Sequence, residues 1–270
     1  MRWMDAWEER FFGNQNAVIS ELKGGKSLRV EVYTETKEGA EEIAAQFGGS
    51  VRELKSRNWA DQKGAIGPPL TIRDAFLITQ ENDSKKLAEL RARAGKKEVI
   101  TIPAEMAFGT GDHPTTSTVL RFLVDDTRGR ENGWSFLDLG TGSGVLAIAA
   151  RKLGAGKIVA LDYDPKAVEV AGENMLRNKV NEVEIGEADV TTWKNRKRYE
   201  VIAANLFSDV LLQTLPRMGA WLTKDGVVFL SGILAPQWDE VREQALKSGF
   251  EVEKHLKKEK WVTAKLNFRG

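Results

Sequence analysis

The chain of 270 residues contains no cysteine and only two histidines, His113 and His255. The first absence excludes disulfides and thiolate chemistry. The second leaves too few imidazoles for a histidine-built site, so no metal is expected. Long hydrophobic runs are missing too: the most apolar stretch, VLAIAA at 145–150, is far shorter than the roughly 20 residues that cross a bilayer. The N-terminus, MRWMDAWEER, has no apolar segment behind its positive charge and does not read as a signal peptide. An excess of charge of one sign is also lacking. Forty Lys and Arg stand against 39 Asp and Glu, a net charge of +1, which gives no general field for nucleic acid or membrane. The expectation is a soluble, monomeric, cytoplasmic protein that contacts neither membrane nor nucleic acid directly. What is present suffices for a core, with 41% hydrophobic and 29% charged residues.

Along the chain, the first hundred residues differ from the rest. Trp3, Trp7, Phe11 and Phe12 share one helical face. SLRVEVYTET (27–36) alternates like a strand, KEGAEEIAAQF (37–47) has helical periodicity with a Gly-Gly stop, and SVREL (50–54) reads as a second strand. These predict a small α/β domain over 1–57. A Gly- and Pro-rich linker with a connecting segment follows over 58–98, including a strand-like LTIRDAFLIT and a solvated helix in ENDSKKLAELRARAGKKE. From 99 to 270 a larger domain is expected. Beyond residue 134, strands and helices alternate, the pattern of a doubly wound, mostly parallel sheet, and the C-terminal FEVEKHLKKEKWVTAKLNF reads as a hairpin adding an antiparallel edge.

The chemistry concentrates in three motifs. DLGTGSG places Asp138 at a strand end and Gly140, Gly142 and Gly144 in the turn before a helix. Glycines let the chain turn sharply and let a ligand approach, while the helix N-terminus offers free N–H groups to negative charge. The third glycine comes one residue earlier than in a dinucleotide-binding fingerprint. Asp162, ending the next strand about 20 residues on, is placed to accept ribose hydroxyls. Asp164 and Pro165 read as a helix N-cap and first helical residue. Asp189, at the end of the third strand, is readable as an adenine contact and equally as a turn residue. Asn205, in AANLFSDVLL, ends the fourth strand where the ligand crevice of such a sheet lies. Ser208 reads as the cap of the following helix. Upstream, AFGTGDHPTTSTVL (107–120) gathers glycines, hydroxyls and His113 just before a helix. The basic runs KNRKR (194–198) and KHLKKEK (254–260) read as solvated faces.

DLGTGSG resembles motif I of class I S-adenosylmethionine-dependent methyltransferases. Together with AFGTGDHPTT, VIAANLFSDVL and the later LSGIL and KWVTAKL, it makes residues 98 to 264 resemble the ribosomal protein L-eleven lysine methyltransferase family. The resemblance implies a Rossmann-like domain using S-adenosyl-L-methionine as cofactor. It implies methyl transfer to lysine side-chain and N-terminal amines of a large-subunit ribosomal protein, which the N-terminal domain recognises. Cofactor contacts carry over to Thr116, Gly140, Asp162 and Asn205, and Phe108, Gly109, Thr110, Gly111 and His113 would form a loop closing over the cofactor. Asn205 would orient the acceptor amine; His113 is readable as a base, a cofactor contact or a structural residue. Two departures stand out: the segment before 58 is short, and Glu105 replaces a glycine common before the loop. Rival readings are the same chemistry on another protein lysine or a small amine, and a non-catalytic cofactor-binding module. The glycine spacing disfavours a nicotinamide oxidoreductase, and the lack of G-x-S-x-G disfavours a serine hydrolase.

Overall fold

A computed structural model describes residues 17–21, 28–32, 34, 36–51, 67–103 and 113–269. The aromatic residues at 3–12, residues 52–54 of the proposed second strand, Glu105 and Phe108–Gly111 lie outside the described residues. The chain divides into two compact units, Met1–Ala65 and Ile66–Gly270. In the smaller, β1 (Ala17–Glu21) pairs antiparallel with β2 (Leu28–Val32). Helix α1 (Lys37–Phe47) starts where the Thr36 side chain accepts from the Gly39 N–H, and it stops at Gly48. That helix has the span its periodicity predicts.

The larger unit opens with a three-stranded sheet of β3 (Leu70–Ile72), β4 (Phe76–Thr79) and β5 (Glu98–Thr101), with α2 (Ser84–Arg93) joining the last two. Ile72, Phe76, Ile78 and Ile100 are buried in one core with Val119, Leu120 and Leu123 of α3 (Pro114–Thr127). The boundary drawn at 99 from sequence therefore falls inside this unit, because the strands before it share its core.

The main sheet has the order β11-β12-β10-β9-β6-β7-β8. Its strands are β6 (Ser135–Leu139), β7 (Lys157–Asp162), β8 (Val183–Glu187), β9 (Tyr199–Asn205), β10 (Leu222–Leu234), β11 (Phe250–Lys258) and β12 (Trp261–Phe268). β6 to β10 are mutually parallel, whereas β12 runs antiparallel between β10 and β11. The hairpin thus inserts its second strand into the sheet and leaves β11 at the edge. Strand β6 reads as a continuous apolar run because helices cover both faces: all five of its residues are buried. One face packs on α3, α4 (Val145–Lys152) and α5 (Pro165–Arg177), and the other on α6 (Ser208–Met218) and α7 (Trp238–Lys247). Among the described residues no helix is long and apolar enough to cross a membrane.

This winding positions the site. After β6 the chain returns through α4 to β7 on one side, and after β9 through α6 to β10 on the other. Their carboxyl ends therefore splay apart and leave a crevice.

Candidate active site

Three glycines turn the chain from β6 into α4 with left-handed torsions, φ being 73° at Gly140, 54° at Gly142 and 80° at Gly144. Gly144 also needs its bareness for packing, since a Cβ there would sit 3.2 Å from both Cα and Cβ of Ala171 on α5. The turn is sewn to the neighbouring strand by the N–H groups of Gly140 and Thr141, which donate to the Leu161 carbonyl at 2.8 and 2.9 Å.

Asp162, at the end of β7, is 7% exposed. Gly142 N–H donates to its Oδ2 at 2.8 Å and Asp164 N–H to its Oδ1 at 3.1 Å. Each oxygen keeps a second lone pair, so the carboxylate is fixed in orientation and still able to accept. Asp164 is the N-cap of α5, accepting from Lys166 N–H, with Pro165 at the first helical position, as the motif predicts.

Asp138 lies beneath the turn, fully buried. Thr141 Oγ1 donates to its Oδ2 at 2.8 Å, while Oδ1 has no hydrogen-bond partner among the described residues. Burial pushes this carboxyl up to about 7, with a smaller push from the Asp162 charge, against the lowering effect of the Thr141 hydrogen bond.

Asn205 ends β9 and its amide nitrogen donates to Thr116 Oγ1 on α3 at 3.3 Å. That bond commits the amide oxygen to the acceptor role. Leu206 N–H then donates to the Ser231 carbonyl of β10 at 3.1 Å. At the next residue, Gly232, φ is 83° and a Cβ would collide with the Leu206 carbonyl. The glycine of LSGIL therefore lets β10 approach the backbone that carries Asn205, at the bulge where the β10–β12 register shifts.

His113 is the N-cap of α3. Its Nδ1 takes part in a 2.7 Å hydrogen bond with Thr115 Oγ1 and accepts from Thr115 N–H at 3.4 Å. Its ring meets Trp261 of β12 edge to face at 5.2 Å. An Nδ1 that accepts from the backbone leaves the ring proton on Nε2. Asp189 is a turn residue that also lines the crevice: its Oδ1 accepts from Thr191 N–H and Oγ1 at 2.8 and 2.7 Å. The Thr191 hydroxyl bond is the main cause that lowers its carboxyl.

These parts enclose a cleft of about 590 Å³, within the range of small-molecule sites. Of the residues named from sequence, His113, Gly140, Gly142, Asp162, Asp164, Asp189 and Asn205 line it. Thr116, Asp138 and Gly144 stand behind that wall, and Phe108, Gly109, Thr110 and Gly111 lie outside the described residues. One expectation needs correcting: Ser208 does not cap α6, because Phe207 holds the cap position and Ser208 Oγ instead donates to Gln237 at 2.9 Å. Sequence reasoning missed the apolar part of the wall, Tyr163, Leu206, Phe207 and Trp261. Tyr163 and Phe207 are 78% and 72% exposed, and their places beside Asp162 and Asn205 were the available signal.

The ribosomal protein L11 methyltransferase from Streptococcus agalactiae is 36% identical over 212 residues, 78% of this chain and 63% of that protein. The protein of the same description from Heliobacterium modesticaldum is 38% identical over 165 residues, 61% of this chain and 51% of its own length. The chain spans less than two thirds of the length of these relatives. Among solved structures, a ribosomal protein L11 methylase from Lactobacillus delbrueckii subsp. bulgaricus superposes with a TM-score of 0.64 at 23% identity, covering 76% of this chain and all of that one. A precorrin-6y C5,15-methyltransferase from Geobacter metallireducens reaches 0.51 at 16% identity, over 59% and 91%. The fold is that of the methyltransferases. The family model for ribosomal protein L11 methyltransferase (PrmA) matches residues 8–269, and the chain belongs to that family.

Proposed function

We propose that this protein transfers methyl groups from S-adenosyl-L-methionine to amines of ribosomal protein L11, its lysine side chains and N-terminus. The observation that carries the reading is the convergence of Gly140, Gly142, Asp162, Asp189 and Asn205 on one cleft at the carboxyl ends of four parallel strands. The residues fit the cofactor. Asp162 is oriented by two backbone donors with lone pairs to spare for the ribose hydroxyls. The turn from Gly140 to Gly144 brings the N-terminus of α4 to the methionine carboxylate. Asp138, buried beneath that turn with its carboxyl pushed up to about 7, braces the turn through the Thr141 hydroxyl, and Asp189 reaches the adenine amino group. Phe108–Gly111 complete the proposal as the segment that covers the cofactor.

When bound, the cofactor supplies an electrophilic methyl group and leaves as a neutral thioether. The chain's residues then have three tasks. Asn205, held by Thr116, offers its amide oxygen to an N–H of the acceptor amine and aims the nitrogen lone pair along the line of transfer. Leu206, Phe207 and Trp261 exclude water; a lysine amine with a pKa of about 10.4 in water is driven toward its neutral, nucleophilic form by that desolvation. His113, with Nδ1 turned to Thr115, holds the entry of α3 and acts as a positioning residue. The released proton passes to solvent.

Calorimetric titration of S-adenosylmethionine, followed by transfer of labelled methyl to purified ribosomal protein L11, tests this reading. Saturable binding and labelling are expected, and Asn205→Ala should slow transfer while cofactor binding persists. Absence of cofactor binding would overturn the proposal.

A further inference from the structure

The hairpin from β11 to β12 carries KHLKKEK, four lysines and one glutamate in residues 254–260. All four lysine side chains are exposed, and among the described residues none is within ion-pair distance of a carboxylate. Lys254 feels the charge of the adjacent Glu253, and the side-chain contacts of Lys254, Lys258 and Lys260 are with neutral groups. Lys254 Nζ lies 5.0 Å from the centre of the Phe122 ring, Lys258 Nζ is 3.5 Å from Ser117 Oγ, and Lys260 Nζ is 5.3 Å from the centre of the Trp261 ring. Their positions are directional. Lys254 and Lys258 lie on the side of the hairpin that faces α3, whereas pleat alternation turns Lys257 to the opposite face. Lys258 pairs in register with Trp261, and Trp261 meets His113 and lines the cleft. The cationic strip therefore runs into the cleft mouth at the end where Asn205 is placed to meet the acceptor amine.

We infer that Lys258 and Lys260, with Lys254 behind them, form a docking strip for an acidic segment that flanks the acceptor amine on its protein substrate. The inference rests on the proposed methyl transfer. Charge complementarity supports it. Lys258 and Lys260, with no carboxylate within ion-pair distance among the described residues, present a positive potential beside an apolar cleft mouth. Lys254, partly offset by the neighbouring Glu253 charge, extends it. Adjacency selects the partner: the same molecule must reach the cleft with an alkyl amine and the strip with its anions a few residues away. A polypeptide carrying Asp or Glu next to lysine does both, and RNA has no such amine. A chain with a net charge of +1 also lacks the broad field that drives nucleic-acid association. The strip acts on encounter and on KM, and it leaves cofactor binding untouched.

The test uses the full chain and two labelled peptides with one central lysine, flanked by Asp and Glu in one and by Asn and Gln in the other. Fluorescence anisotropy reads binding without any need for turnover, and calorimetry with S-adenosylmethionine is run in parallel. The acidic peptide should bind about tenfold more tightly at low salt, as two or three exposed ion pairs allow, and the advantage should vanish at high salt. Lys258→Glu with Lys260→Glu should erase it, and Lys258→Gln with Lys260→Gln should reduce it. Lys257→Glu, on the other face, should retain it, with cofactor affinity equal in all variants. Equal binding of the two peptides, or an advantage that survives the Glu variants, overturns the inference. So does tighter binding of a single-stranded RNA of the same charge, which would assign the strip to nucleic acid. Loss of S-adenosylmethionine binding would instead sink the proposed function.

Discussion

Replacing Asp138 with asparagine isolates what burial of the carboxyl beneath the glycine turn does to stability. The group moves from 3.8 in an open chain to about 7 in the folded protein, and it has no exposure to water. Below pH 3.8 it is protonated in both states and contributes no pH dependence. Between that value and about 7 the unfolded chain has released the proton and the folded protein has kept it. Stability therefore falls as pH rises through this window, by about 1.4 kcal/mol per unit. The full loss is about 4 kcal/mol, an upper value reached above about pH 7. Asp138→Asn cannot titrate, so its stability relative to the parent should climb by that amount from about pH 4 to about pH 8 and then level off. The absolute offset is a separate matter, since the amide keeps an acceptor for Thr141 and adds a donor in a buried place. Urea unfolding of both proteins across this range, with m unchanged, reads the slope directly. Parallel curves, with a constant difference at every pH, would refute the reasoning.

Other substitutions separate the roles assigned to neighbouring residues. Asp162→Ala removes two charge-assisted backbone hydrogen bonds and the proposed ribose acceptor, so S-adenosylmethionine affinity should drop at least tenfold by calorimetry. Asp164→Ala should cost about 1 kcal/mol of stability through the lost α5 cap and leave cofactor affinity nearly unchanged; a large loss of affinity would make Asp164 the ligand instead. Gly232→Ala forces a side chain onto a left-handed residue against the Leu206 carbonyl, and a fall in stability of about 2 kcal/mol is expected together with weaker transfer. The Tyr199 hydroxyl is buried without a partner among the described residues, and burial pushes it up to about 12. Tyr199→Phe should therefore raise the unfolding free energy by about 1 kcal/mol in urea titration, and a lower value would reveal a partner.

Much of the site was legible because its residues obey local rules. Glycine takes left-handed torsions without strain, and Gly140, Gly142 and Gly144, in the turn between a buried strand and a helix, adopt them. Asp164 followed by Pro165 states an N-cap in the chain itself, and Asp162 is then the strand's last residue. What stayed hidden depends on contacts distant in sequence. That Gly232 must be bare follows from Leu206, 26 residues earlier and brought beside it only by parallel pairing of β9 with β10. Insertion of β12 between β10 and β11 brings Trp261 to His113, and hairpin periodicity alone says nothing about which strand lies inside. Ser208 looked like a cap because serine favours that place, yet a partner on a later turn, Gln237, takes its hydroxyl. LTIRDAFLIT reads as a single strand before a solvated helix, yet it forms two strands, β3 and β4, whose burial against α3 depends on a core assembled from both segments. The raised Asp138 carboxyl is a property of tertiary burial, invisible in DLGTGSG.

The central claim is that this cleft methylates ribosomal protein L11, and mass spectrometry of that protein tests it most directly. Purified ribosomal protein L11 is incubated with the full chain and S-adenosylmethionine, then digested and sequenced. The account predicts whole-methyl mass increments on lysine or N-terminal amines, abolished by Asp162→Ala and strongly reduced by Asn205→Ala. An unmodified ribosomal protein, with S-adenosylmethionine bound by the same preparation, would contradict it.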